Sequence, residues 1–417
     1  MDLGTEIKTR ARDLIKPRAT TQEQNIIHLY GDIAWYGILF GMIQAFLSVY
    51  VLRLDGSDTH VGMLTALPAL VMMLCSIPGA QMVERARNPL AVLVISATLQ
   101  RAGYLLIALV PFFFTVHRAE VVVVLVGMLT IPLAVAAVAF TAIFARAVSP
   151  DHRARVISIR NVWLGIASTV VAVGGGKFLD LVPLPLNFQI LFALGFGAAM
   201  LSSWHLTRLQ LPQVAQPTKP RARISLRALI AQRSFARFTL AAFVIHWGLF
   251  FAVPLFSIYW VRALGASDGW IGVFNMVINA TTIVFYPIWG HIAARRGNRF
   301  VLIVTTLALA LPPALTALAP SVEWILLPSL AAGIIAPGFT IVLFNGLLEV
   351  CPEENRATYI GVFNALIHVA VFLAPILSTL LTATFSVAAL LIVSAALRVI
   401  GGILVWQTGT LKKRAAH

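Results

Sequence analysis

The chain is short of charge. Only 11% of its 417 residues are Asp, Glu, Lys or Arg, while 59% are hydrophobic; a soluble domain carries about 25% charged residues. A large soluble protein with a rich core would still need charged helix faces, and these are missing. Acids are scarcest, 16 against 31 Lys and Arg. Cysteine is almost absent too. Cys75 falls inside an apolar run and Cys351 at a loop edge, with no spacing that suggests a disulfide framework or a metal site. No His/Cys/Asp cluster offers metal ligands, no phosphate loop offers an ATP-driven engine, and no constellation suggests catalysis. The expectation is therefore a protein without metal or cofactor, and not an enzyme.

What the chain does have is apolar sequence in long runs, with a mean hydropathy of +0.89. The runs lie at about 27–52, 59–82, 89–114, 120–145, 156–179, 185–206, 238–262, 270–293, 299–318, 323–348, 358–383 and 386–407. Each is long enough for a helix across a ~30 Å hydrocarbon core. A lone span must satisfy its backbone hydrogen bonds internally, and the alternation of a barrel strand is absent, so helices are the default. The sequence predicts an all-α polytopic membrane protein of 12 transmembrane helices.

A net charge of +15 is compatible with nucleic acid, but the basic residues are spread through short loops between spans. That pattern marks a membrane surface, and no nucleic-acid partner is expected. With both termini placed in the cytoplasm, only Arg53, Arg118, Lys177 and Arg262 fall outside, and Arg101 and Arg398 fall within spans. The positive-inside rule favours this orientation. Residues 1–25 carry Lys8, Arg10, Arg12, Lys16 and Arg18 without an apolar core and are expected to be a cytoplasmic tail, not a signal peptide. The stretch 210–236 is the one long polar connection between spans. It reads as a cytoplasmic linker, with ISLRALIAQ a candidate interfacial helix. It separates a six-span unit at 26–209 from another at 237–408, and 409–417 forms a second cytoplasmic tail.

The two units echo one another. Shifted by 210 residues, Leu54, Ser57, Asp58, Gly62 and Arg85 fall on Leu264, Ser267, Asp268, Gly272 and Arg295. Shifted by 203, Arg153, Ala154, Ile157 and Asn161 fall on Arg356, Ala357, Ile360 and Asn364, and Pro132 and Pro337 differ by 205. Three landmarks in register indicate an internal duplication.

With twelve spans, two six-helix halves and a basic middle loop, the chain resembles the major facilitator superfamily over nearly its whole length. The family's signature turn, Gly-x-x-x-Asp-Arg-x-Gly-Arg-Arg, is echoed at AQMVERARN (80–88) and at GHIAARRGNR (290–299). The first copy has Glu84 for the aspartate, keeps Arg85, and puts Arg87 where the second glycine stands. The second keeps Gly290, Arg295, Gly297 and Arg299, adds Arg296, and has Ala294 in place of the acid. The resemblance implies two pseudo-symmetric six-helix bundles around a central cavity. It also implies a cytoplasmic gate in which Glu84 faces the start of span eleven near Arg356, with Arg153 at the equivalent place in the first half. The alternative for each of these arginines is a plain positive-inside anchor.

Few residues could carry chemistry within the spans. Asp32 is the one carboxylate plausibly inside a span, and an ionisable group there is costly unless paired or hydrated. It is either a protonatable coupling site or a structural pair. Tyr36 lies one turn on, along the same face. Arg101 is expected to pair with Asp32 or with backbone carbonyls, or else to bind an anion. Arg398 reads as a packing or snorkelling residue. His246 and His368 are further proton-coupling candidates, on helices seven and eleven, which by the resemblance face the cavity. Asn275 and Asn279, and Asn364 with His368, form i, i+4 pairs suited either to substrate or to helix–helix hydrogen bonding. In the first half the positions of Asn275 and Asn279 hold Thr65 and Ala69. Gln44, Asn161 and Asn345 complete the cavity candidates. Gly37-x-x-x-Gly41 and Gly174–Gly176 permit close helix contact. The glycine-proline motif and the fourth-helix arginine of antibiotic exporters are absent.

These features predict a secondary active transporter of the inner membrane, moving a small organic solute by alternating access. Coupling to protons and efflux ahead of uptake are expected, with membrane lipids around a monomer. The competing expectation is a non-transporting sensor or assembly factor on the same scaffold.

Overall fold

The structure, a computed structural model, describes residues 20–211, 232–352 and 356–408. Most of the expected N-terminal tail, the candidate interfacial helix in the linker and the C-terminal tail lie outside these residues. Twelve helices are long and apolar enough to cross a membrane: α1 (Thr21–Arg53), α2 (Asp58–Arg85), α3 (Pro89–Phe113), α4 (Arg118–Ala147), α5 (Pro150–Leu181), α6 (Leu186–Thr207), α7 (Arg233–Ile258), α8 (Asp268–Arg296), α9 (Asn298–Ala317), α10 (Glu323–Val350), α11 (Arg356–Leu381) and α12 (Val387–Thr408). No strand occurs among the described residues.

Local chemistry sets the helix ends. Thr20 opens α1 with a capping box closed by Glu23, which satisfies two of the otherwise unpaired N–H groups of the first turn. Ser57 and Ser267, duplicated landmarks, accept from the first turns of α2 and α8. Gly297 ends α8 and begins α9 at φ 84, a conformation in which a Cβ would be strained. The middle of α9 breaks at 309–310 because Pro312 and Pro313 have no N–H to continue the ladder. A π turn, Tyr259–Ala263, extends α7.

Helix–helix seams follow the small residues. A Cβ built on Gly41 would meet the Ser168 Cα at 2.7 Å, and the Ser168 hydroxyl donates to the Gly37 carbonyl at 3.3 Å. The Gly37–Gly41 pair thus lets α1 lie against α5. The N-terminal core is closed by the stack of Tyr50, Phe188 and Phe192, and the C-terminal core gathers Phe235, Phe238 and Ile245.

The two bundles meet where the duplication predicts equivalent surfaces. A Cβ on Gly62 of α2 would meet the Pro375 carbonyl at 2.9 Å and the Thr379 side chain of α11. A Cβ on Gly272 of α8 would run into the Ala172 carbonyl and the Gly176 Cα of α5. Gly62 and Gly272 are related by the 210-residue shift, and Ala172/Pro375 and Gly176/Thr379 by the 203-residue shift. The interface is therefore two-fold pseudo-symmetric down to single contacts.

Candidate functional site

The bundle has two ends, one bearing the α1–α2 and α7–α8 turns and the other bearing the start of α1 and the end of α12. At the turn end the halves are locked together. Arg53, the last residue of α1, donates to Asp268 at 3.1 Å and to the Ala266 carbonyl at 3.2 Å. Arg262, beyond α7, donates to Asp58 and to the Gly56 carbonyl. Gly56 and Ala266, and Asp58 and Asp268, are equivalent pairs, so each half supplies one arginine and one carboxylate to a reciprocal clasp. Asp180 at the end of α5 adds a third link, accepting from the Ser267 hydroxyl at 3.1 Å and the Gly269 N–H at 3.0 Å.

Toward the other end the same helices part. Asn161 and Trp163 on α5, Tyr286 and Pro287 on α8 and Asn364 on α11 are exposed. A Cβ on Gly290 or Gly361 would meet nothing within 4 Å. Among the described residues Gly290 makes no close helix approach, whereas Gly297 serves its turn at positive φ.

Inside the N-terminal bundle, Asp32 and Arg101 pair at 3.1 Å. The carboxylate also receives Arg160 at 3.1 Å and the Ser202 hydroxyl at 2.7 Å. Arg101 reaches Ser203 at 2.9 Å and lies over the Tyr36 ring at 5.1 Å, and Arg160 donates to the Leu29 carbonyl and lies over Phe140. All three charged groups are buried, so two cations share one anion. Arg160 is not among the residues that composition singles out, because it lies at the start of the apolar run 156–179, next to the basic loop before it. In the structure α5 begins at Pro150, ten residues earlier. The Ser149-Pro150-Asp151 start, a cap position followed by proline and an acid, is the signal that could have found it. Arg53 and Arg262, which fall outside the spans by loop charge, are likewise structural partners, and the duplicated Asp58 and Asp268 are their trace in the sequence.

In the C-terminal bundle, the His246 Nδ1 lies 2.7 Å from the Ala242 carbonyl and the His368 Nδ1 2.7 Å from the Asn364 carbonyl. A carbonyl only accepts, so each Nδ1 carries the hydrogen and each Nε2 stays available. Asp32 and the two histidines thus sit in different bundles. Asn275 bonds back to the Ile271 carbonyl at 2.9 Å, Asn279 is half-buried and Gln44 exposed. Asn345 joins Asn298 at 3.3 Å, which ties α10 to α9. Arg398 is buried and bonded to backbone carbonyls, so it packs and does not snorkel.

The signature turns lie at the open end. Glu84, Arg85 and Arg87 are exposed, as are Arg295 and Arg296, and Arg296 stacks on Phe300 at 5.0 Å. Arg153 donates to the Val148 carbonyl at 3.0 Å and also to Ala145, capping the negative end of α4. Glu84 makes no ion pair among the described residues; its expected partner Arg356 begins α11, but that side chain lies outside them.

A family model described as Major Facilitator Superfamily matches the chain twice, over residues 33–259 and 238–416. Among solved structures, a POT family transporter in complex with 5-aminolevulinic acid superposes with a TM-score of 0.73 at 14% identity, covering 92% of this chain and 95% of its own. A D-xylose–proton symporter gives 0.69 at 15% identity, covering 93% and 98%. A bacterial homolog of the human lysosomal transporter Spinster, in an inward-facing and occupied conformation, gives 0.70 at 14%, covering 94% and 98%. At such identities the likeness concerns the fold. No curated protein sequence matches the chain significantly.

Proposed function

The chain belongs to the Major Facilitator Superfamily, and from that membership we propose that it is a secondary transporter carrying a small organic solute by alternating access. The observation that carries this reading is the reciprocal clasp, Arg53–Asp268 with Arg262–Asp58, at one end of a duplicated pair of bundles whose other end is parted. Links at one end are what a rocking mechanism needs, because they can be exchanged for links at the other. With the basic loops in the cytoplasm of a cell with an inner membrane, the clasped end faces out and the molecule is open inward. Glu84 is then the acid that would close the cytoplasmic end in the opposite state, against the start of α11. Ala294 makes that latch one-sided.

Proton coupling is proposed through His246 and His368. Their Nε2 atoms make no hydrogen bond among the described residues, while the Asp32 carboxylate is enclosed by three donors and serves as the anchor that lets two arginines remain buried. Efflux is the proposed direction, since an inward-open carrier presents its cavity to the cytoplasm, and the sparse charge suits a neutral or amphipathic solute.

The test is accumulation of candidate solutes in proteoliposomes under an imposed pH gradient. His246→Gln is expected to abolish uphill accumulation and to keep downhill exchange. Intact coupling in both His246→Gln and His368→Gln would sink the histidine assignment, and absence of carried solute across a broad panel would sink transport.

A further inference from the structure

A cavity of about 410 Å³ lies within the C-terminal bundle, walled by α7, α8, α9, α10 and α12. Its lining is largely apolar and aromatic, includes Phe250 and Phe256, and contains no Asp or Glu. A space of this size suits a small organic ligand held by a few placed polar groups.

Its one charged side chain is Arg398; the neutral polar ones are Trp260, Ser329, His246, whose Nδ1 donates to the Ala242 carbonyl and whose Nε2 accepts, and Thr316 and Thr340, which donate to their own helices. Arg398 lines the cavity and is only 3% exposed. Its Nε donates to the Gly248 carbonyl at 3.3 Å, one terminal nitrogen to Leu309 at 2.7 Å and the other to Leu249 at 3.5 Å. A guanidinium has five N–H groups, so bonding capacity remains, and no carboxylate pairs with it among the described residues. A buried cation without an anion is costly in a membrane. The second observation is independent. Among the described residues the Trp260 Nε1 and the Ser329 Oγ are buried without a hydrogen-bond partner, and both residues line the same cavity; Ser329 is 2% exposed. An indole N–H can only donate. Along α7 and its π extension, Trp260 lies twelve residues beyond Gly248, about 18 Å at 1.5 Å per residue. The cavity is thus cationic at one pole and neutral-polar at the other, with aromatic walls between.

We propose that this cavity binds an amphipathic organic monoanion. The acid group lies against Arg398, the apolar or aromatic body lies along Phe250 and Phe256, and an acceptor atom at the far end meets Trp260 and Ser329. The site is built from one bundle, so it binds its ligand whether or not the bound anion is the solute carried. The acid comes either from water or from the bilayer as a fatty acid, and the chemistry recognised is the same.

Calorimetric titration of the delipidated full-length protein tests it, using 4-phenylbutyrate, its neutral amide, 4-(4-methoxyphenyl)butyrate and decanoate. Both phenyl acids are expected to bind at least 10-fold tighter than the amide. The methoxy acid, with its distal ether oxygen, is expected to lose about 3- to 10-fold in Trp260→Phe and Ser329→Ala, while 4-phenylbutyrate changes little. Arg398→Gln is expected to lose at least 10-fold, and Arg398→Lys to recover part of it. Tighter binding of decanoate than of 4-phenylbutyrate would mark a bilayer source, and the reverse order a water-soluble one. Equal affinity for acid and amide in the wild-type protein overturns the proposal without need of any variant, as does failure of every acid to bind. Binding is read directly, so a failure here is distinguishable from a failure of transport.

Discussion

Arg53 and Asp268 meet at 3.1 Å across the seam between the bundles, and the duplication places the reverse pair, Arg262 with Asp58, beside them. Both arginines are partly exposed, 34% and 45%, so each pair contributes about 1 kcal/mol or less. Asp58→Asn or Asp268→Asn alone is therefore expected to shift the balance between closed and open turn ends by about 5-fold at most. The double variant should shift it further, and added salt should imitate the change. Labelling rates of a cysteine placed in the α1–α2 turn would report this, and rates insensitive to both substitutions would remove the clasp from the mechanism.

The glycine contacts at the same seam are steric, with little dependence on charge. Gly272→Ala puts a methyl where the Ala172 carbonyl stands, and backbone yields far less readily than a side chain. It is expected to force α8 from α5 and to disfavour the closed turn end. Gly174→Ala is the control: nothing lies within 4 Å of its Cβ position, and alanine is favoured over glycine in a helix by roughly 0.5–1 kcal/mol. Thermal unfolding should rank Gly174→Ala at or above wild type and Gly272→Ala below it. Equal behaviour of the two would contradict the packing account.

Asp32→Asn leaves Arg101 and Arg160 buried without their shared anion. Breaking a buried pair in this way costs about 3–5 kcal/mol, so folded yield and unfolding midpoint should both fall. Asp32→Asn with Arg160→Gln should regain part of the loss, because one cation leaves with the anion. A single variant as stable as wild type would show that Asp32 does not anchor the bundle.

The scaffold was legible because a membrane leaves few alternatives. Long uncharged runs, a basic linker and landmarks repeated in order at shifts of 210, 205 and 203 residues lead to twelve helices in two related bundles. Side-chain partners were harder to read, for physical reasons. Positive-inside counting treats every loop arginine alike, yet Arg160 sits ten residues into α5 and Arg53 and Arg262 reach across to the other half. A charge at the margin of an apolar run is counted with the loop, although a helix that continues past it can bury it. The asparagines show the converse: i, i+4 spacing left Asn275 open to substrate or to a neighbouring helix, and its amide bonds instead to its own helix at 2.9 Å, with its remaining groups unassigned by spacing alone. Periodicity gives a face, whereas the choice between backbone, neighbour and ligand depends on packing at ångström scale.

The central claim, that the two ends open and close in opposition, can be tested without knowing the solute. Cys75 and Cys351 are replaced, and spin-label pairs are set at Thr115 with Ser321 on the turn end and at Gln81 with His291 on the other. All four positions are exposed. Double electron–electron resonance is then recorded with and without Asp58→Asn and Asp268→Asn. The account predicts that releasing the clasp populates a longer Thr115–Ser321 distance together with a shorter Gln81–His291 distance. Two distances that lengthen together, or a turn end that opens while the other stays fixed, would contradict it.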